Sequence, residues 1–152
     1  LKVSSNELIC IIRTGIRSGT GDQGNAVADS LLHAYSSDLG LTWKLRRMTI
    51  PGVMPKLRRL NNGVIVLATG RPGNSLYFSS DNGHSFGREE TITAPHMTTT
   101  GYCDFMEVSP NRIFVVYDII SSPLQKMWLW EPTIGNGIYG TFYDISLRFG
   151  GK

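Results

Sequence analysis

The stretch SSDLGLTW, at Ser36–Trp43, is matched in plan by SSDNGHSF at Ser79–Phe86, 43 positions further along the chain. Recurrence at a period of about 20–50 residues is typical of propellers and other repeat arrays. We therefore expect the flanking sequence to repeat as well. The shared positions are Ser36, Asp38, Gly40 and Trp43 in the first copy, and Ser79, Asp81, Gly83 and Phe86 in the second.

The segments around the two motifs do repeat. ELICIIR and LLHAYSS precede the first motif, and VIVLATGR and SLYFSS precede the second. YCDFMEV and RIFVVYD open a third copy that has no motif. Short runs rich in branched and aromatic residues, separated by turn residues, are typical of β-strands. The sequence thus predicts an all-β chain of four-stranded antiparallel meanders, with each motif as the turn between the third and fourth strands.

Such a meander is the pattern of a β-propeller blade. Turns between the first and second strands centre on Asn6, Asn62 and Asn111, at spacings of 56 and 49 residues. A single partial propeller domain, 1–152, would then contain about three blades, at approximately 1–50, 51–95 and 96–152. Since a closed propeller has about four to eight blades, we expect further blades or self-association to complete it.

The motif has a structural rationale that needs no substrate. Its aspartate can accept hydrogen bonds from the backbone of its own turn, and its serine can tie the entering strand to that turn. The glycine suits a left-handed position. The aromatic residues, Trp43 and Phe86, are expected to pack between neighbouring sheets. A calcium loop would need more carboxylates than one per turn, so the motif is interpreted as scaffold.

The patterns SxDxGxTW and SxDxGxxF resemble the Asp-box repeats of sialidases and related propeller proteins. This resemblance covers the chain as repeated blades and implies part of a six-bladed sialidase-like propeller. It implies a retaining, sialidase-like glycoside hydrolase, or a fragment of one, acting on terminal sialic acid or a related glycan. The same boxes occur in propellers that are not glycosidases. The alternative is therefore a non-catalytic module that binds a glycan or a protein partner.

Strand direction predicts which end of the blades carries function. Because the chain reverses at every turn, the motifs share one rim with the short SSN, NNG and SPN turns, and the longer connections share the opposite rim. The longest follows Arg13 and holds an insertion of 15 residues relative to the second copy. Functional residues often lie on such loops of a rigid scaffold. The polar residues predicted at this rim include Arg17, Asp22, Asn25, Asp29, Arg71, His96, Tyr102, Asp104 and Asp118.

Two arginines occupy equivalent places on this rim. Arg13 and Arg71 each end the second strand of their blade, and two guanidiniums facing one basin would suit a planar carboxylate. The other interpretation is that each pairs with a local acid. The resemblance implies that such arginines grip the carboxylate of sialic acid. Arg13, Arg17, Arg71 and Asp104 are thus the predicted substrate-binding residues.

The resemblance also implies catalytic roles. Sialidases use a tyrosine, assisted by a glutamate, as nucleophile, and an aspartate in a glycine-rich loop as acid and base. The matching positions are Asp22 for the acid and base, with Asp29 as the alternative, and Tyr102 for the nucleophile. Met54 or Pro55 stands where many family members have a glutamate opening this strand pair. This departure leaves open whether the chain is catalytic.

Composition excludes several other classes. The net charge is +3, and KLRR occurs at 44–47 and at 56–59, but without interleaved aromatic residues we read these as solvated strand faces rather than a nucleic-acid site. The three histidines lack the spacing of zinc ligands, so neither metal nor cofactor is expected. Cys10 and Cys103 are expected to be buried thiols, although one disulfide remains an option.

No apolar run reaches the roughly 18 residues that would span a bilayer. We also expect no signal peptide within residues 1–152. For a glycan substrate, we expect a secreted, periplasmic or cell-surface location.

Overall fold

The computed structural model describes residues 1–17, 27–95, 97, 99–120 and 137–145, with only the backbone described at 16–17 and 27–28. This part of the chain forms strands and turns without a helix, which confirms the all-β prediction. The strands are β1 (Leu8–Ile12), β2 (Ile16–Arg17), β3 (Val27–Ala28), β4 (Ser30–Ser36), β5 (Lys44–Pro51), β6 (Val53–Arg59), β7 (Ile65–Gly70), β8 (Asn74–Ser79), β9 (Gly87–Thr93), β10 (Cys103–Ser109), β11 (Arg112–Ile119) and β12 (Gly137–Asp144).

Three antiparallel sheets have their strands in chain order, and in the first of them β2 and β3 intervene between β1 and β4. The first has the order β1-β4-β5 and is extended by a bridge between Lys2 and Leu8. The second is a complete four-stranded meander, β6-β7-β8-β9, and the third has the order β10-β11-β12. The short β2-β3 pair lies in the connection between β1 and β4, where the sequence has its insertion.

The second sheet is the centre of the molecule, and every residue of β7 and β8 is buried. Because side chains alternate across a strand, the two faces of β7 serve different neighbours. Val66 and Ala68 pack with residues of the third sheet, including Phe105 and Val115. The intervening Leu67 packs with residues of the first sheet. Each large aliphatic side chain buried in this way stabilises the fold by about 1.5–3 kcal/mol.

The outer faces of the first and third sheets are apolar and exposed. Met106, Val116, Ile138 and Phe142 are exposed on the third sheet, and Ile12 and Leu45 are exposed on the first. The central sheet has both faces covered, as the clusters on either side of it show. The stack of three sheets therefore has an exposed apolar surface at each end.

Cys10 corrects the expectation of two buried thiols. Cys103 is buried, but Cys10 is exposed, and both are free thiols. Ile9 and Ile11 face the second sheet, so the alternation of the strand turns the intervening Cys10 outward. Apart from Glu7, every residue of ELICII is apolar and suits either the buried or the exposed face of the strand. The sequence pattern therefore could not show that Cys10 is exposed.

The two ends of the sheets differ in their connections. At one end, a short turn is hydrogen-bonded to a serine–aspartate turn, and two short turns are hydrogen-bonded to each other. Leu39 N donates to Asn6 O over 3.0 Å, and Asn62 Nδ2 donates to Asn111 Oδ1 over 2.7 Å. The opposite end carries Arg71, just after β7, and Tyr102, just before β10.

Candidate functional site

The first serine–aspartate turn, 36–43, is closed by its own hydrogen bonds. Ser36 Oγ donates to Asp38 Oδ1 over 2.7 Å and accepts from Gly40 N over 2.8 Å. Thr42 donates to the two carboxylate oxygens of Asp38, from its backbone N over 2.9 Å and from its hydroxyl over 2.5 Å. The bonds from Thr42, followed by that from Ser36, lower the pKa of Asp38 from 3.8 to about 2.

The second turn, 79–86, repeats this geometry. Ser79 Oγ donates to Asp81 Oδ1 over 2.6 Å and accepts from Gly83 N over 2.8 Å. Ser85 N donates to Asp81 Oδ1 over 2.9 Å. Burial acts to raise the pKa of Asp81, but the bonds from Ser79 and Ser85 outweigh it and lower the pKa to about 2. Carboxylates engaged in this way serve the turn rather than a reaction.

Packing distinguishes the two turns and corrects the prediction for Trp43. Phe86 is half-buried and packs with the core between the first and second sheets. Trp43 is 42 % exposed, and its indole Nε1 donates over 3.0 Å to Gly40 O of its own turn. The difference arises because the second turn has the first sheet beside it, whereas the first turn lies in the sheet whose outer face is exposed.

Arg71 is the most constrained residue at the opposite end. It adopts a left-handed backbone with φ of 57°, which costs a residue other than glycine about 1–3 kcal/mol; Leu39 and Asn82, in the serine–aspartate turns, adopt the same conformation. Its backbone N donates to Gly73 O over 2.7 Å. Its side-chain Nε donates to Thr100 O over 3.1 Å, which brings the connection between the second and third sheets against the guanidinium.

The electrostatic surroundings of Arg71 identify its neighbours. Burial lowers the pKa of Arg71, and the positive charge of Arg13 lowers it further, while Tyr102 and Asp118 act in the opposite direction. Arg13 itself is exposed and follows β1. Within the described ranges, neither Arg13 nor Arg71 forms an ion pair with a carboxylate. The charge of Arg13, which follows β1 of the first sheet, therefore acts on the Arg71 guanidinium of the second sheet together with the opposite charge of Asp118.

Tyr102 is 55 % exposed beside this pair. Its backbone N donates to Thr100 Oγ1, in the preceding turn, over 3.3 Å. Tyr102 also lines an open groove of about 470 Å³ that runs between the second and third sheets. The groove is lined by Met54, Lys56, Thr100, Tyr102, Cys103, Asp104, Val116, Tyr117, Asp118 and Ile138.

Asp104 borders the groove but already has partners. Arg58 Nη2, on β6, donates to Asp104 Oδ1 over 3.1 Å, and Phe105 N donates to the same oxygen over 2.8 Å. The guanidinium of Arg58 also lies over the ring of Phe105, 5.9 Å from its centroid. These contacts link the second sheet to the third, so Asp104 has a structural role in addition to its predicted place in the binding site.

The inserted loop contributes little that can be described. Asp22 and Asn25 lie outside the described residues, as does His96, and Arg17 is described only as backbone of β2. Asp29, the alternative acid and base, accepts from Ser30 N over 2.8 Å and lies 3.4 Å from Arg47.

Sequence reasoning missed the turn formed by Thr99, Thr100 and Gly101. Asp118 Oδ2 accepts from Thr100 N over 2.9 Å, and its Oδ1 accepts from the hydroxyls of Thr100, over 2.8 Å, and Thr99, over 3.2 Å. The run of threonines followed by a glycine was the available signal, because hydroxyls in that setting favour turns. The sequence could not show that the partner lies 18 positions further on.

Comparisons with known proteins add no relative. No family model matches the chain, and no curated protein matches it. Within the part of the chain that the structure describes, no helix is long and apolar enough to cross a membrane. The same residues contain no group of three histidine, cysteine or acidic side chains arranged to hold a metal ion.

Proposed function

We propose that the three sheets are blades of a sialidase-like β-propeller, with the serine–aspartate turns as its Asp boxes. The support is the order of the strands within each sheet, the packing of each sheet on the next, and the shared hydrogen bonds of the two turns. The exposed apolar faces of the first and third sheets are the places where the other blades of a six-bladed ring, or another copy, would pack.

The proposed activity is the binding and retaining hydrolysis of a terminal sialic acid or a related acidic glycan. The observation that carries it is the position of Arg13 and Arg71 directly after β1 and β7 of adjacent sheets, where neither arginine is ion-paired with a carboxylate among the described residues. Like charges held together are costly, and a bound carboxylate would relieve that repulsion. Its two oxygens also match the donors of a guanidinium. A secreted, periplasmic or cell-surface location is proposed with this substrate.

In this proposal Tyr102 is the nucleophile. Its exposure of 55 % leaves it accessible from the groove, and a phenol is not repelled by the substrate carboxylate as an acidic side chain would be. The phenol oxygen would attack the anomeric carbon and release its own proton to solvent water, while Asp22 donates a proton to the departing glycosidic oxygen. Water, deprotonated by the Asp22 carboxylate, would then attack the same carbon and displace Tyr102 as a phenolate, which takes back a proton from solvent.

A second candidate is a propeller module that binds the glycan without hydrolysing it. The observation that favours it is the state of the nearby carboxylates. Asp104 is paired with Arg58, and Asp118 is bonded to Thr99 and Thr100. In the described ranges no carboxylate is hydrogen-bonded to the Tyr102 hydroxyl, so no base for the phenol is in place.

Two assays on the chain separate these functions. Release of the fluorophore from a fluorogenic sialoside, abolished in Asp22→Asn, is the result expected for a hydrolase. Binding of sialyllactose without turnover, lost in Arg71→Ala, is the result expected for the module. Arg112→Ala is the matched control, because Arg112 is an exposed arginine that pairs with Asp144 on the third sheet at 3.7 Å. A folded chain that neither hydrolyses nor binds the sialoside would refute both functions.

A further inference from the structure

The turn at 99–101 connects a carboxylate to the proposed binding arginine. On one side of the turn, the two oxygens of Asp118 take three hydrogen bonds, from Thr100 N, Thr100 Oγ1 and Thr99 Oγ1, over 2.9, 2.8 and 3.2 Å. Bonds to an ionised acceptor are stronger than bonds between neutral groups. Asp118 therefore fixes both the backbone and the side chains of this turn.

On its other side, the turn holds Arg71. The Thr100 carbonyl accepts from Arg71 Nε over 3.1 Å. A Cβ placed on Gly101 would lie 2.9 Å from Arg71 Cγ, and one on Gly70 would lie 2.4 Å from Gly101 Cα. Gly101 thus packs directly on the stem of Arg71 and on the backbone before it, and any shift of the turn must move the arginine.

The second sheet is also hydrogen-bonded to the turn at 99–101. Thr99 Oγ1 accepts from Gly101 N over 2.7 Å and from the side chain of Asn74 over 3.1 Å. Asn74 is fully buried at the start of β8. Its position ties Thr99 to the second sheet, and the bonds to Asp118 and to Arg71 meet at the next residue, Thr100.

We propose that Asp118 is a positioning residue that acts through Thr100 to hold the Arg71 guanidinium ready for an anionic ligand. The Thr100 carbonyl accepts from Nε, which leaves the two terminal nitrogens of the guanidinium for the two oxygens of a carboxylate. An arginine held in this way loses less rotational freedom on binding. The contribution to ligand affinity rests on the proposed function, whereas the linkage of Asp118 to Arg71 does not.

The linkage is tested without any ligand, by the exchange of the Arg71 Nε proton with solvent in ¹⁵N NMR spectra, with the signal assigned through Arg71→Lys. In Asp118→Asn the amide cannot accept all three bonds, and we expect exchange to accelerate about tenfold. Asp144→Asn is the control, because Asp144 is an exposed carboxylate of the same sheet that pairs with Arg112. Unchanged exchange in Asp118→Asn would overturn the proposal.

A second pair of variants keeps the test valid if Asp118→Asn does not fold. Thr100→Val removes the hydroxyl bonded to Asp118 but retains the backbone bond, and Thr100→Ser retains both. Exchange at Arg71 should be faster in Thr100→Val and close to that of the unaltered chain in Thr100→Ser. Equal exchange in the two variants would contradict the proposal.

The affinity for sialyllactose shows what the linkage does for binding. Loss of one immobilised side chain corresponds to about threefold to tenfold weaker binding, which we expect in Asp118→Asn and in Thr100→Val. Faster exchange at Arg71 in a chain that binds no sialoside would refute the proposed function and leave the linkage standing. Unaltered affinity and unaltered exchange in the variants of a binding chain would refute the linkage alone.

Discussion

The two ends of the sheets use polar residues in opposite ways. At the end with the serine–aspartate turns, Asp38 and Asp81 have their oxygens engaged by neighbours within eight residues. At the other end, Arg13 and Arg71 follow strands of adjacent sheets, and among the described residues neither forms an ion pair with a carboxylate. The first end satisfies its own charges and supports the fold, while the second leaves charge available to a ligand.

Removing a charge should therefore have different consequences at the two ends. Arg71→Ala is expected to weaken sialyllactose binding at least about thirtyfold, since deleting one member of a hydrogen-bonded charge pair costs about 2–5 kcal/mol. The melting temperature should change little, because alanine keeps the same left-handed backbone strain and the substitution removes one hydrogen bond, from Nε to Thr100 O, worth about 0.5–1.5 kcal/mol. Calorimetric titration and thermal unfolding measure the two effects. A large loss of stability with unaltered affinity would reverse the assignment of the two ends.

The turn end should respond to volume instead. A Cβ on Gly83 would lie 2.3 Å from Ile9 Cδ1, at a φ of 81°. We expect Gly83→Ala to lower the free energy of unfolding by about 2–4 kcal/mol through overpacking and backbone strain. Gly63→Ala is the matched control, with a φ of 87° and no atom within 4 Å of the added Cβ, and should cost about 1 kcal/mol. Urea unfolding measures both, and equal losses would show that packing of the second turn on the first sheet contributes nothing.

Acid should weaken the turn end in a defined range. The pKa values of Asp38 and Asp81 are lowered from 3.8 to about 2. A carboxylate whose pKa is lower in the folded state stabilises that state above its unfolded pKa, and this contribution is lost as the pH falls through the folded pKa. The urea midpoint should therefore fall between about pH 4 and pH 2, by a modest amount because exposed carboxylates are screened. In Asp38→Asn/Asp81→Asn the fall should be shallower, and an identical pH profile would argue against these bonds.

The smallest effect is expected at His33, which links the first sheet to the second turn, 79–86. Its ring Nε2–H donates to Gly83 O over 2.8 Å, and burial lowers its pKa, with Arg46 and His84 adding to this and the Gly83 carbonyl and Asp81 opposing it. A base whose folded pKa is lowered stabilises the fold above its unfolded pKa, near 6.5, and this stability is lost as the pH falls towards the folded pKa. A slight decline in melting temperature below about pH 6.5, absent in His33→Gln, would agree. The same decline in both proteins would exclude His33 as its source.

Much of the fold follows from the repeat. The motif spacing and the strand-like runs predicted the all-β chain and its antiparallel sheets because both depend on local sequence, but of the predicted four-stranded meanders the described residues contain only the second complete. The exposure of Trp43 and Cys10 depends on which face of the first sheet has a neighbour. A pattern in which ELICII is apolar on both faces cannot supply that information.

The candidate site was predictable only in part. The equivalent places of Arg13 and Arg71 could be read from the repeat, since each ends the second strand of its unit. The link from Asp118 to Thr100, and that from Arg58 to Asp104, join residues 18 and 46 positions apart. Contacts across sheets at such separations are set by the tertiary packing, and no local pattern records them.

The most direct test of the central claim is a titration of the ¹⁵N-labelled chain with sialyllactose, followed by the backbone and arginine side-chain signals. We expect shifts at Arg13, Arg71, Thr100 and Tyr102, and none in the turns at 36–43 and 79–86. The same titration of Arg71→Ala should leave the spectrum unchanged. Shifts confined to the two turns, or a spectrum that does not respond to saturating sialoside, would contradict the assignment of the Arg71 end as the binding site.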